Sequence, residues 1–84
     1  MHKSIDILKP LFWEYKWQSV LEHLDSPFVI ARVLDLGRPE QVEVLELSIG
    51  IPKIKEFIEI KGKKLITPKS LNFWSLYYGT TAGS

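Results

Sequence analysis

The chain has 84 residues, of which 45% are hydrophobic, 25% charged and 12% aromatic, and its formal net charge is +1. These proportions predict one compact domain over residues 1–84 and exclude disordered, collagen-like and low-complexity proteins. Cysteine is absent, which excludes a disulfide framework, a thiolate nucleophile and a cysteine-based zinc site.

The first segment predicts neither a signal peptide nor a membrane anchor. Asp6 and Lys9 interrupt the apolar stretch that a signal peptide requires. The longest apolar runs, such as residues 28–31, have about four residues, whereas a membrane-spanning helix needs roughly 20. We therefore expect a soluble, cytoplasmic protein without membrane contact. Between Leu11 and Leu24 the pattern is irregular, and we expect two short helical turns there.

Proline and glycine mark the boundaries of four helices in the rest of the chain. A proline stands at the head of each apolar-periodic segment and a glycine follows its end, which is the usual asymmetry of helix termini. Ser26 and Thr67 are predicted N-caps of the first and last helix. The fold class is therefore all-α, a compact bundle of four to five short helices, with residues 79–84 as a frayed tail. The predicted spans are Pro27 to Leu36, Pro39 to Ser48, Pro52 to Lys61 and Pro68 to Tyr78.

In two segments, β-structure remains an alternative to a helix. Residues 42–49 alternate partly like a strand, although Val42, Leu45 and Ile49 also match a helical stripe. The flanking Pro39 and Gly50 favour the helix. Over residues 57–67 a β-hairpin that turns at residues 61–63 competes with a helix, and the sequence does not distinguish the two.

Most of the aromatic residues fall into two short windows. Because each ring buries a large area, we expect the two clusters to pack mainly on each other and to join the ends of the chain. The last helix is apolar nearly all round, since Asn72 and Ser75 are its only polar residues over 71–78. An 84-residue domain rarely covers such a helix on every side, so this helix, with Trp13 or Trp17, is a candidate binding surface. The two clusters are Phe12, Trp13, Tyr15 and Trp17, and Phe73, Trp74, Tyr77 and Tyr78.

The sequence contains no recognisable catalytic motif. Its only histidines, His2 and His23, have no partner at metal-ligand spacing, and neither a glycine-rich phosphate loop nor a nucleophilic triad can be assembled. Glu14 lies among aromatic residues, and burial there would raise the pKa of its carboxyl group. We expect no enzyme activity and therefore no catalytic residue, metal or cofactor.

Charge is divided unevenly along the chain. Residues 1–50 carry five basic and eight acidic residues, a net charge of −3, whereas residues 51–84 carry six lysines against Glu56 and Glu59, a net charge of +4. The lysine-rich part favours an acidic partner, although a solvated lysine face is the simpler interpretation. A dedicated nucleic-acid-binding domain is usually more basic and has more arginine than the two residues present here.

Three motifs point to a family. They are LFWEY at Leu11–Tyr15, FVIARVLDLG at Phe28–Gly37 and TPKSLNFWS at Thr67–Ser75. Together they resemble a small prokaryotic family of uncharacterised function, and the resemblance covers most of the chain, least over residues 41–64. It implies an all-helical domain of this length. Its members are often encoded beside abortive-infection-type nucleotidyltransferase toxins, which implies an antitoxin or toxin partner and carries over no catalytic residue.

These observations favour a non-enzymatic protein-interaction module, an antitoxin-like partner of a nucleotidyltransferase-type toxin. The acidic metal ligands of such an enzyme would attract the lysines through charge complementarity. The alternative is a helix-turn-helix-like DNA-binding regulator that reads DNA with the start of its last helix. A self-associating structural domain, a homo-oligomer, is a third interpretation. The residues expected to contact the partner are Trp13, Trp17, Lys61, Lys63, Lys64, Lys69, Asn72 and Trp74.

Overall fold

The computed structural model describes residues 4–80, and every regular element within them is helical. The predicted all-α fold class is therefore confirmed. The elements in chain order are a 3-10 helix Ile5–Phe12, α1 Trp17–Glu22, α2 Pro27–Leu36, α3 Pro39–Ile49, α4 Ile51–Phe57, a π-helix Ile58–Gly62, α5 Lys63–Leu65 and α6 Pro68–Tyr78.

Local capping explains where the main helices begin. The side-chain oxygens of Ser26 and Thr67 each accept a 3.3 Å hydrogen bond from the backbone N–H three residues later, so both predicted N-caps are confirmed. Arg38 precedes α3 without capping it through its side chain. Instead, Gln41 Oε1 accepts a 2.7 Å hydrogen bond from the Arg38 backbone N–H, which ties the first turn of α3 to the residue before it.

The two β alternatives do not occur. Residues 42–49 belong to α3, and residues 51–65 form one continuous helical stretch in which α4, the π-helix and α5 follow each other directly. The prediction that Gly62 follows the end of a helix is wrong, because its backbone is right-handed helical and the chain remains helical to Leu65. Its small size matters for packing instead. A Cβ atom on Gly62 would lie 2.7 Å from Leu71 Cδ1, so the missing side chain lets α6 approach closely.

The N-terminal segment contains more helix than the two short turns that were predicted between Leu11 and Leu24. The 3-10 helix already begins at Ile5, where the Ser4 side chain accepts a hydrogen bond from the Asp6 N–H, and α1 follows at Trp17. Gln41 connects this segment to the bundle, since its buried Nε2 donates a 2.8 Å hydrogen bond to the Ile7 carbonyl.

Helix α2 forms the centre of the core. It packs against the 3-10 helix, α3, α4, α5 and α6. Its own Val29, Ile30, Val33 and Leu34 are all buried, and each such side chain stabilises the fold by about 1.5–3 kcal/mol relative to exposure. The rest of the chain supplies Leu8, Phe12, Val20, Val42, Leu45, Ile54, Phe57, Ile58, Ile66, Trp74 and Tyr78 to the same core.

The expectation that the two aromatic clusters pack on each other is wrong. Phe12 and Tyr15 pack edge-on against Phe28 of α2, with ring centroids 6.1 and 5.2 Å apart. The C-terminal rings contact one another along α6, and the ring pairs among residues 4–80 do not join the two groups. The reason is that α2 lies between the two groups. Its Phe28 contacts the N-terminal rings, and its Leu34 carbonyl accepts a hydrogen bond from Trp74 of the C-terminal group.

Candidate functional site

Helix α6 has two faces of different character. Leu71, Trp74 and Tyr78 recur at helical spacing and pack on the core. The other side, here named the outer face of α6, consists of Lys69, Asn72, Phe73, Leu76 and Tyr77, all of which are exposed.

Three large apolar side chains on this outer face are open to solvent. Phe73, Leu76 and Tyr77 retain 55%, 75% and 63% of their accessible surface. They follow one another at i, i+3 and i+4, so they form one continuous strip along the helix. Contiguous exposed apolar surface on a small monomer marks an interaction site far more often than scattered single residues do.

A polar junction with α2 fixes the position of α6. Trp74 is only 7% exposed, and its indole Nε1 donates a 2.8 Å hydrogen bond to the Leu34 carbonyl. At the beginning of α6, the Asp35 carboxylate accepts hydrogen bonds from both the backbone N–H and the hydroxyl of Thr67, at 3.2 and 3.1 Å. A carboxylate at this helix end also interacts favourably with the helix dipole.

The end of α6 is attached to α3 and to the π-helix. The Tyr78 hydroxyl donates a 2.6 Å hydrogen bond to Glu46, and burial, together with this bond to a carboxylate, raises the pKa of the Tyr78 phenol above its ordinary value. Gly79, in a left-handed conformation, and Thr80 close the helix by a Schellman motif, and the Thr80 hydroxyl also hydrogen-bonds Glu59. Of the tail predicted to fray, residues 81–84 lie outside the described residues.

A groove of about 310 Å³ runs between α3 and α6. We name it the α3–α6 groove. Its α3 side carries three carboxylates and its α6 side carries aromatic rings, and no basic residue belongs to its described lining. The rings of Phe73 and Tyr77 are almost parallel, at 15° with centroids 6.3 Å apart. The polar and aromatic lining residues are Glu40, Glu43, Glu46, Phe73, Trp74 and Tyr77.

The three tryptophans predicted to contact a partner lie in three different environments. Trp13 is 81% exposed. Trp17 is partly buried and packs against the core. Trp74 is a core residue with 7% of its surface exposed, and its indole N–H already has a partner in Leu34. The exposed aromatic residues of the same helix are Phe73 and Tyr77.

The predicted polar contact residues are all on the surface. Lys61, Lys63 and Lys64 are exposed on the π-helix and α5, and Lys69 and Asn72 lie on the outer face of α6. Within residues 4–80, none of the four lysines forms an ion pair. The close contact at Gly62 brings the lysine-bearing segment against α6, so both groups border the same helix.

The sequence predicted α6 as a candidate surface but did not identify which of its side chains are exposed. The aromatic content of α6 was evident, but a helix that is apolar all round does not reveal which side faces the core. The spacing of Leu71, Trp74 and Tyr78 was the available signal, since it predicts an inner face and leaves Phe73 and Leu76 outside.

Glu14 forms an ion pair that the sequence did not indicate. The carboxylate accepts a 2.6 Å hydrogen bond from Arg32 Nη2. The Arg32 guanidinium lies 5.8, 5.4 and 5.7 Å from the ring centroids of Phe12, Tyr15 and Phe28. This arrangement holds the segment between the 3-10 helix and α1 against α2 and gives Glu14 a structural contact.

Residues 4–80 contain neither a metal-binding cluster nor a membrane-spanning helix. In residues 4–80, no three histidine, aspartate or glutamate side chains come together in a way that would hold a metal ion. No helix in this part of the chain has both the length and the apolar character needed to cross a membrane.

One family model matches the chain. It is described as a family of unknown function, DUF6922, and it aligns with residues 7–58, which is more than half of the chain. The match includes the Leu11–Tyr15 and Phe28–Gly37 motifs and ends before Thr67–Ser75. Neither the curated proteins nor the solved structures contain a significant match.

Proposed function

This chain belongs to the DUF6922 family, whose function is unknown, so we propose a function on the basis of the residues that the chain exposes. It acts as a non-enzymatic, cytoplasmic protein-interaction module, an antitoxin-like partner of a nucleotidyltransferase-type toxin. The outer face of α6 is the contact surface. The single observation that carries the proposal is the exposed strip of Phe73, Leu76 and Tyr77. The opposite face of the same helix packs on the core.

The energetics of this strip support partner binding. A few residues at the centre of an interface, with tyrosine among the favoured types, each cost about 2 kcal/mol or more when truncated. Phe73, Leu76 and Tyr77 are held on a rigid helix by the Trp74 and Thr67 hydrogen bonds, so little order has to be gained on binding.

The neighbouring charges suggest how a partner is chosen. Lys61, Lys63, Lys64 and Lys69 are exposed around the start of α6 and favour an acidic surface. The metal-binding carboxylates of a nucleotidyltransferase active site provide such a surface. This part of the proposal rests on charge complementarity alone.

A DNA-binding regulator is supported less well. Lys69 and Asn72 share the exposed face of α6, which favours it. However, the backbone N–H and the hydroxyl of Thr67 both donate to the Asp35 carboxylate at the start of the helix, where a recognition helix would meet phosphates. Phe73 and Leu76 further reduce the polar surface available for reading bases.

The test compares tagged wild-type protein with two variants in affinity purification from native cells, with nuclease treatment and mass spectrometry. Leu76→Ser removes the most exposed residue of the strip, and Ile51→Ser alters an exposed residue of α4 as the matched control. We expect wild type and Ile51→Ser to retain one stoichiometric protein partner that survives nuclease, and Leu76→Ser to lose it.

Two results would overturn the proposal. Equal capture by Leu76→Ser would remove the outer face of α6 as the contact surface. Recovery of DNA without a protein partner, with binding that weakens as salt increases, would favour the regulator instead. Replacing Lys63, Lys64 and Lys69 together by glutamate should abolish the complex. Unchanged affinity would refute the proposal that these lysines bind an acidic surface of the partner.

A further inference from the structure

The start of α6 is bordered by positive charge. Lys69 lies in its first turn and is exposed. The close contact between Gly62 and Leu71 brings the exposed Lys63 and Lys64 beside the same part of the helix. Within residues 4–80, none of these three lysines forms an ion pair, so their charges are directed to solvent or to another molecule.

The end of α6 is bordered by negative charge. Glu46 accepts a hydrogen bond from the Tyr78 hydroxyl, and Glu59 accepts one from the Thr80 hydroxyl. A hydroxyl group is neutral, so these bonds fix the two carboxylates without cancelling their charge. The outer face of α6 therefore lies between lysines at one end and carboxylates at the other.

The outer face of α6 also matches itself when two copies of the helix run antiparallel. Positions 72, 73, 76 and 77 lie on one side of the helix and are all exposed. With a twofold axis midway between positions 73 and 76, Phe73 of one copy faces Leu76 of the other, and Tyr77 faces Asn72. Because the axis repeats every contact, the apolar strip of each copy is covered by that of the other.

The same register joins the opposite charges. Lys69 of one copy lies opposite Thr80 of the other, whose hydroxyl is bonded to Glu59. The twofold axis repeats this pair, so one attractive charge contact flanks the apolar centre on each side. A parallel arrangement would instead place lysine against lysine and carboxylate against carboxylate.

We propose that the free chain forms a homodimer in which the outer faces of α6 pack antiparallel, with Lys69 of each copy beside Glu59 of the other. An acidic surface matches only the lysine end of α6, whereas a second copy matches both ends. The contact has three large apolar side chains on each copy, and so small an interface gives weak, reversible association.

The dimer goes beyond the proposed function and regulates it. The second copy and the protein partner cover the same face of α6, so they compete for it. A chain released from its partner then pairs with another copy, which covers Phe73, Leu76 and Tyr77. Because this association is weak, a partner that binds more tightly displaces the second copy.

The first test is sedimentation equilibrium of the purified full chain. Concentrations from about 10 μM to about 1 mM cover weak association. We expect the average mass to rise from monomer to dimer and the dimer to weaken between about 50 mM and about 500 mM salt, since salt screens exposed charges. A monomer at every concentration would overturn the proposal.

A matched pair of variants locates the contact. Leu76→Ser should remain monomeric at concentrations where the wild type and the control Ile51→Ser, altered at an exposed residue of α4, form dimers. Dimerisation of Leu76→Ser with wild-type affinity would show that another surface joins the copies, and the proposal would be wrong.

A charge exchange tests the antiparallel register. Lys69→Glu alone and Glu59→Lys alone each place like charges at both ends of the contact, so each should weaken the dimer at least about tenfold. An equal mixture of these two variants restores both attractive pairs in its heterodimer and should associate more tightly than either variant does. Lys16→Glu, which reverses an exposed lysine just before α1, should dimerise as the wild type does.

An equally weak mixture would overturn the pairing of Lys69 with Glu59. Two combined results separate the dimer from the proposed function. A dimer with the expected variants, together with partner capture by Leu76→Ser, would retain the dimer and refute the outer face of α6 as the partner surface. A monomeric wild type whose Leu76→Ser variant loses the partner would refute the dimer and retain the proposed function.

Discussion

The indole N–H of Trp74 donates a 2.8 Å hydrogen bond to the carbonyl oxygen of Leu34, which lies in the last turn of α2. Carbonyl groups in the last turn of a helix have no partner within the helix. Trp74 therefore supplies a hydrogen bond that α2 cannot make for itself, and in doing so it fixes α6 against α2. Which face of α6 is left exposed follows from this contact.

Trp74→Phe should destabilise the protein markedly. The substitution keeps an aromatic ring but leaves a buried carbonyl without its donor, which costs about 1–3 kcal/mol. Urea denaturation measures the change in the free energy of unfolding. Trp13→Phe is the matched control, because Trp13 is exposed and its replacement should change stability by no more than about 0.5 kcal/mol. Equal effects of the two variants would contradict a stabilising role for the hydrogen bond between Trp74 and the Leu34 carbonyl.

The Glu14–Arg32 ion pair should contribute more than the Asp25–Lys53 pair. Both residues of the second pair are 56% exposed and their charged atoms are 3.3 Å apart, whereas the first pair is shorter and less exposed. We expect Glu14→Gln to lower the free energy of unfolding by about 1 kcal/mol and Asp25→Asn by about 0–0.5 kcal/mol. Thermal or urea denaturation at low and high salt checks this order, and a larger effect of Asp25→Asn would refute it.

Alanine at Gly37 should be more harmful than alanine at Gly62. A Cβ atom on Gly37 would lie 2.5 Å from the Val33 carbonyl oxygen, which belongs to helix backbone and cannot move freely. At Gly62 the close atom is the end of the Leu71 side chain, which can rotate, and the helical position gains propensity from alanine. We expect a loss of about 1–3 kcal/mol for Gly37→Ala and a smaller one for Gly62→Ala, measured by urea denaturation. The reverse order would contradict this packing.

Tyr78 should make the protein less stable at alkaline pH. Burial and the Glu46 hydrogen bond raise the pKa of its phenol, so above about pH 10 the unfolded chain loses this proton while the folded chain keeps it. The folded state then binds more protons than the unfolded state, and the free energy of unfolding falls as the pH rises. Urea denaturation across this range should show a shallower fall for Tyr78→Phe than for wild type.

Tyr77→Phe is the control for this experiment, because Tyr77 is exposed on the adjacent position. Its stability should fall with pH as steeply as that of the wild type. An equally steep fall in Tyr78→Phe would mean that the buried phenol is not responsible.

Local sequence alone determined where three helices begin, although it left helix and hairpin open over residues 57–67. Proline at the first turn and a capping Ser26 or Thr67 act within a few residues, so the starts of α2, α3 and α6 were predicted correctly. The end of α6 at Gly79 follows the same local rule, since a left-handed residue closes the helix. Gly62 does not end a helix as this local rule predicts. Its role depends on its contact with Leu71, which comes nine positions later in the chain.

Only the tertiary structure decided which aromatic residues are covered. The sequence predicted an aromatic, lysine-bordered helix as the candidate surface, but it did not show that Trp74 is buried or that Phe73 and Leu76 are exposed. The tryptophan is buried because its N–H meets a carbonyl of α2, forty residues earlier. Likewise, the glutamates of α3 meet the rings of α6 only after α2 has positioned both helices. Periodicity describes one helix at a time, whereas burial depends on the neighbours that the whole chain brings to it.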